Sequence, residues 1–283
     1  MQYAIFIPNF KCYGEARVVA ELARDAENAG WDGLFIWDHV NRRPAMGDVV
    51  DPWIALTAAA MLTERIRLGT MITPLPRRRP WNLARETVSL DRLSNGRVTL
   101  GVGIGSGRPM EWEDLGEETD PRVRGGMLDE GLAVLNGLWS AEPFSYDSAY
   151  YRVQDVQFMP GPAQNPRIPV WVGGNWPNKA PHRRAARWDG VFTIFESQVD
   201  AENLDDFRDM VAFIGENRET DAPFDFVYRG APDIDPTVLA AYQDAGLTWW
   251  LSDFGPHRFG GDWEADWPCA AMHEAVLQGP PRL

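Results

Sequence analysis

Of the four histidines in the chain, one stands where an imidazole could do chemistry. His39 closes the run Trp37-Asp38-His39, directly after the apolar stretch 33–37 (GLFIW). Imidazole changes charge near neutrality, which suits proton transfer or a hydrogen bond at a reaction centre. Asp38 could orient that ring, or could cap the next segment; a histidine simply tucked against its loop is the plainer alternative. His182, His257 and His273 are single, and no HxH or HExxH pair exists, so the sequence indicates no metal centre. A hydrolytic nucleophile elbow, G-x-S-x-G, is also missing.

Two glycine clusters could bring backbone close to a ligand. The run Gly101-Val102-Gly103-Ile104-Gly105-Ser106-Gly107 departs from the dinucleotide fingerprint, because Ser106 and Arg108 stand where its last glycine belongs. Gly103 and Gly105 instead suit the close approach of a flat ring to a strand end, or a tight exit with no ligand. The second cluster, Gly173-Gly174-Asn175, leads to a helix expected to open near Asn178-Lys179. Amides at a helix N-terminus attract anions, and Lys179, Arg183 and Arg184 add positive charge, so this turn is a candidate phosphate site. The Arg77-Arg78-Arg79 run is expected to be a solvated edge.

These residues need a frame, and the alternation of element types supplies it. Residues 3–8 (YAIFIP) read as a strand, 15–28 as an amphipathic helix stopped by Gly30, and 33–37 as a second strand. Asp51-Pro52 signals a helix start over 51–63. Strands over 66–72 and 97–102 flank a helix over 81–93. After a polar stretch, 106–124, a helix is expected over 124–138. The later units are strands at 168–172, 190–195, 224–228 and 248–252, with helices at 179–188, 200–217, 236–245 and 264–277. Continuously apolar strands alternating with helices describe a parallel sheet covered on its faces. Eight such units favour closure. The expected fold is therefore α/β, a (β/α)8 TIM barrel with an insertion loop after the fourth strand and an irregular segment before the fifth. Residues 1–283 are expected to form a single domain. Barrel function resides at the C-terminal strand ends, which selects the loops 8–14, 37–50, 71–80, 103–124, 173–179, 195–200, 228–235 and 252–263.

A net charge of −14 argues against nucleic acid or an anionic membrane as partner. Only two of the 27 basic residues are lysines, Lys11 and Lys179. No secretory signal or membrane span is visible. Cys12 and Cys269 lie at opposite ends, form no CxxC, and are expected to be reduced thiols in a cytoplasmic protein.

The motifs, taken together, resemble the luciferase-like monooxygenase family and its relatives that use the deazaflavin coenzyme F420. The resemblance rests on Gly30-Trp31-Asp32-Gly33-Leu34 through Trp37-Asp38-His39, Leu68-Gly69-Thr70, and Leu93-Ser94-Asn95-Gly96-Arg97 through Leu100-Gly101-Val102-Gly103. It continues in Arg124-Gly125, Leu128-Asp129-Glu130-Gly131-Leu132, Leu138-Trp139 and Ile168-Pro169-Val170-Trp171-Val172-Gly173-Gly174. It implies that His39 sits beside a flavin ring and that Met71-Ile72 form a bulge beneath it, with a non-proline cis peptide. It further implies that the turn from Gly173, Gly174 and Asn175 to Lys179 takes the cofactor phosphate. The activity implied is monooxygenation of a small-molecule substrate with reduced FMN and oxygen, served by a separate flavin reductase, with Glu111 or Glu113 ordering the loop over the ring. Hydride transfer with F420 is the alternative; a non-catalytic flavin-binding barrel and a metal-free lyase are more remote. Family members commonly form homodimers through the second and third helices. Two departures matter: Gly103-Ile104 replaces the Cys-Arg of luciferase α chains, and Ser106 replaces the glutamate of the F420-dependent sugar-phosphate dehydrogenases.

Overall fold

The computed structural model describes residues 1–197 and 199–281; Gln198, within the candidate loop 195–200, lies outside the described residues, as do the last two of the expected domain. Its elements run β1 (Gln2–Ile7), α1 (Ala16–Ala29), β2 (Gly33–Ile36), α2 (Pro52–Leu62), β3 (Arg67–Pro74), α3 (Pro80–Leu93) and β4 (Val98–Gly103). They continue with α4 (Pro121–Trp139), β5 (Phe144–Asp147), β6 (Arg152–Val156), β7 (Val170–Asn175), α5 (Lys179–Ala185), β8 (Gly190–Ile194) and α6 (Leu204–Asn217). The last are β9 (Asp225–Gly230), α7 (Pro236–Asp244), β10 (Trp249–Asp253) and α8 (Cys269–Leu277). The parallel strands close a barrel in the order β1-β10-β9-β8-β7-β4-β3-β2.

Period-two alternation divides each strand between two cores. Ile5 and Ile7 of β1, like Leu34 and Ile36 of β2, face the helix layer. Ala4, Phe6, Phe35, Trp171, Phe192 and Trp249 fill the interior. Phe35 stacks on Trp171 at 5.0 Å and meets Trp249 edge-on at 5.9 Å, which plugs the barrel. Gly69 makes room for that plug: a Cβ there would lie 2.7 Å from the Phe35 ring and 2.3 Å from the Thr99 carbonyl. Truncating so large a buried ring costs about 3–5 kcal/mol.

Local signals work as read at several ends. Asp51 Oδ1 accepts from the amides of Trp53 (2.9 Å) and Ile54 (3.0 Å), with Pro52 opening α2. Gly30, at φ +93°, closes α1 in the left-handed region.

Three expectations need correction. The segment before the fifth barrel strand contains an antiparallel hairpin, β5–β6, outside the barrel sheet. The last helix begins at Cys269 and not at 264. Cys12 and Cys269 are not free thiols but a disulfide, with Cα atoms 5.8 Å apart across 257 positions of sequence. The cause is closure: β1 pairs with β10, which brings the loop after β1 against the start of α8. Paired in this way, the two cysteines do not point to a cytoplasmic location. Among the described residues, no helix is long and apolar enough to cross a membrane.

Candidate active site

At the C-terminal end of β2 the chain must neutralise a buried acid. Asp38, 4% exposed, accepts from Thr73 Oγ1 (2.9 Å), Arg78 Nε (3.0 Å) and Arg77 Nη2 (3.1 Å). The 3-10 turn Leu75–Arg77 after β3 delivers Arg77, and the extended residue that follows it delivers Arg78. Arg77 and Arg78, expected at a solvated edge, are thus drawn inward, their side chains only 7% and 20% exposed. A buried carboxylate without such partners would be strongly unfavourable. Arg79 stays outside, over the Trp81 ring at 5.8 Å.

Asp38 is therefore engaged by the arginines, and it is Glu111, not Asp38, that holds His39. Glu111 ends the 3-10 turn Pro109–Glu111 in the long loop after β4, and is 1% exposed. Both its oxygens lie 2.9 Å from His39 Nδ1. It also accepts from Arg77 Nη1 (3.2 Å), the Val40 amide (3.2 Å) and Ser106 Oγ (3.2 Å). Burial alone would raise the Glu111 carboxyl; the hydrogen bond and charge of His39, the Arg77 guanidinium and the Val40 amide outweigh it and hold the group below the ordinary glutamate value. An ionised carboxylate only accepts, so Nδ1 carries the proton, and in the neutral ring Nε2 keeps its lone pair. Asn9 fixes the backbone beneath, donating Nδ2 to the His39 carbonyl at 2.8 Å. The loop 106–124 thus crosses the barrel mouth, pinned by Arg124 Nη1 to the Ser106 carbonyl (3.1 Å) and by Arg124 over Trp112 (4.2 Å).

Beside this pair, β3 slips register against β4 between Thr70 and Thr73, and the Met71–Ile72 peptide is cis. The Ile72 side chain lies over two glycines: a Cβ at Gly103 would stand 2.2 Å from its Cδ1, and one at Gly173 2.8 Å from its Cγ2. Gly105, at φ +77°, lies against Trp112 and Pro74. His39, Met71, Ile72, Gly103 and Gly173 therefore belong to one end of the barrel. The rest of the second glycine cluster turns elsewhere. A Cβ at Gly174 would strike Pro181 at 2.5 Å, Asn175 is exposed, and Lys179 Nζ sits 3.3 Å from the Trp176 ring centroid and 4.5 Å from that of Phe213. Asn178 caps α5, accepting from Ala180 N at 3.3 Å. This turn is packed upon its own helix.

A cavity of about 490 Å³ opens on the side of Trp37, which separates it from His39. Trp37, whose ring lies 5.5 Å from that of His39, forms one wall; Arg42, Arg108, Arg229, His257 and Trp263 form others. Sequence reasoning missed this lining, having set His257 aside as a single histidine. Its only signal was position, since these residues fall at the C-terminal ends of the second, fourth, seventh and eighth barrel strands or in the loops that follow. Among the described residues, no cluster suited to a metal ion occurs.

The sequence model of the family described as Luciferase-like monooxygenase matches residues 1–273, and the chain belongs to that family. An F420-dependent glucose-6-phosphate dehydrogenase of Beutenbergia cavernae is 35% identical over 158 residues, covering 54% of this chain and 45% of that protein. The chain spans about half the length of the first curated relatives it matches. Among solved structures, monooxygenase RslO1 from Streptomyces bottropensis aligns with a TM-score of 0.69 at 23% identity, over 87% of this chain and 75% of that one. An F420-dependent secondary alcohol dehydrogenase, solved with an F420-acetone adduct, aligns with a TM-score of 0.72 at 18% identity, over 89% and 92%. These likenesses show the fold, and both FMN and F420 proteins occur among the relatives.

Proposed function

We propose that the chain is an F420-dependent oxidoreductase that interconverts an alcohol and a carbonyl compound. The observation that carries this reading is the buried His39–Glu111 pair. When a carbinol is oxidised, its C–H bond gives up hydride and its O–H bond gives up a proton, leaving C=O. F420, held at its ring end by the β3 bulge beside His39, would supply or accept that hydride. His39 Nε2 takes the proton, and Glu111, with Arg77 behind it, stabilises the imidazolium that forms.

The residues fit such a group at its ring end, where the β3 bulge, Ile72 over its glycines and His39 share one mouth. They do not support the Gly174–Lys179 turn as the phosphate holder, because its lysine is committed to two aromatic faces. Monooxygenation with reduced FMN and oxygen is the second reading, supported by the apolar side chains of Trp37, Met46, Met110 and Trp263 along one wall of the cavity. That reading requires a separate flavin reductase. A homodimer seated on α2, whose Ile54 and Met61 are 62% and 67% exposed, is compatible with either.

The deciding experiment titrates the purified protein with F420 and with FMN by fluorescence, then follows alcohol oxidation without oxygen. Tight F420 binding with anaerobic turnover, lost in Glu111→Gln, supports the proposal; turnover only with reduced FMN and oxygen replaces it with the second reading.

A further inference from the structure

We propose that the cavity beside Trp37 recognises the anionic group of an organic substrate, a carboxylate or phosphate monoester on an apolar body. This rests on the oxidoreductase reading only in placing the reacting carbon of that substrate next to His39.

The lining is cationic in a chain of net charge −14: Arg42, Arg43, Arg108 and Arg229 face a single acid, Glu264. Two of these arginines are already matched. Arg43 pairs with Glu264 at 3.0 Å, and Arg229 with the fully buried Asp253 at 2.7 Å. Arg42 and Arg108 have no carboxylate partner among the described residues. Arg42 lies over the Phe10 ring at 4.7 Å, and its Nε and Nη1 are buried without an acceptor. Burial, with Arg108 and Arg43 adding repulsion against the opposing pull of Glu111, lowers its pKa. Trp37 Nε1 shares its condition, buried without a hydrogen bond, while His257, stacked on Trp263 with Nε2 3.7 Å from Asp253, adds one N–H in its neutral form.

Charged groups in folded proteins are usually paired, so two guanidinium groups without a carboxylate, Arg42 and Arg108, on the wall of one volume favour an entrant that brings one. The entrant must bring acceptors and negative charge. A planar guanidinium offers parallel N–H groups that match carboxylate or phosphate oxygens two at a time. The remaining wall is apolar, with the Trp37 and Trp263 rings 5.5 Å apart and Met46 and Met110 beside them, so the body of the ligand must be apolar too. Phe10 touches both Arg42 and, at 6.0 Å, the His39 ring, which sets the anion one aromatic ring from the proton acceptor.

The test is calorimetric titration of the intact protein with 4-phenylbutyrate, its neutral amide and phenyl phosphate. Wild type should bind the two anions at least about tenfold more tightly than the amide, as a charge-assisted hydrogen bond predicts. Arg42→Met, which keeps the stem over Phe10, should erase that preference. Arg108→Gln, at an exposed position, should reduce it several-fold. FMN and F420 affinities, read by fluorescence on the same variants, should stay within about threefold of wild type. Equal binding of acid and amide, or a preference surviving both substitutions, overturns the assignment. So does displacement of the acid by FMN or F420 with a matching loss of cofactor affinity in Arg42→Met, since the charge would then serve the cofactor phosphate. A protein that binds the acid but neither cofactor overturns the redox reading and leaves this assignment standing; one that binds a cofactor but no acid does the reverse.

Discussion

Arg97 and Arg42 sit at opposite ends of the barrel, and neither has a carboxylate partner among the described residues, yet their surroundings differ in kind. At the N-terminal end, Arg97 uses every nitrogen: Nε on the Ser94 carbonyl (2.8 Å), Nη1 on Thr63 Oγ1 and the Ile66 carbonyl (both 2.9 Å), Nη2 on the Ala60 (3.2 Å) and Thr63 (2.9 Å) carbonyls. Glu27 nearby accepts the amides of Arg65 (2.6 Å) and Ile66 (2.7 Å). At the mouth, Arg42 keeps buried nitrogens without acceptors. A closed circuit of hydrogen bonds stabilises the fold; at Arg42 the circuit stays open, which is the basis of the anion site proposed above.

The comparison predicts that mouth and floor substitutions fail differently. The largest effect should come from His39→Ala, which lowers turnover by about 10²–10⁴-fold while leaving the urea midpoint within error. Coincident loss of fold and activity would make His39 structural. Next, Arg97→Met should strip partners from several carbonyls and cost about 4 kcal/mol in urea unfolding, with ligand affinity of the surviving folded protein unchanged. Cys12→Ser/Cys269→Ser should cost about 3 kcal/mol, matched by wild type under reductant; a smaller loss would mean that loop contacts such as Arg43–Glu264 already hold that corner.

Smaller still is an acid effect at the floor. Burial raises the Glu27 carboxyl, but the amides of Ile66, Arg65 and Glu64 and the charge of Arg65 bring it below its ordinary value. A folded-state pKa below the unfolded one gives stability that is full above about pH 4.3 and is lost as pH falls through the lowered value. Glu27→Gln should therefore be less stable than wild type at pH 7 and converge with it on acidification; parallel curves would deny the carboxylate that role. Least of all, Lys179→Ala should cost only the cation–π contact, about 0.5–1 kcal/mol, and leave FMN and F420 affinity within about threefold. A tenfold loss for FMN but not riboflavin would restore the phosphate site to this turn.

The fold was legible because its signals are local. Gly30, Asp51-Pro52 and the alternation of strands such as β1 each act within a few residues, and the register of eight repeated units does the rest. The site was half legible. His39 stands out as an imidazole at a strand end, but its partner Glu111 lies 72 positions away and could be foreseen only as a loop-ordering residue. Arg77 and Arg78 looked like surface residues because nothing local announces that Asp38 is buried beneath them. The cavity arginines were invisible for the same reason, since an unmatched guanidinium is defined by neighbours from four loops. The cysteine pairing failed most completely: it depends on barrel closure, which no window of sequence contains.

That disulfide also changes the connectivity of the molecule. With Cys12 joined to Cys269, the chain is a covalent ring carrying β2 through β10, and β1, which closes the barrel between β10 and β2, is a short tail hanging from it. A protease that nicks one loop of the ring opens it without releasing a fragment, so the nicked protein should migrate as one species until reductant is added. Exchange of β1 between two copies is restricted as well, because the tail is tied to its own ring five residues beyond the strand and cannot travel without it.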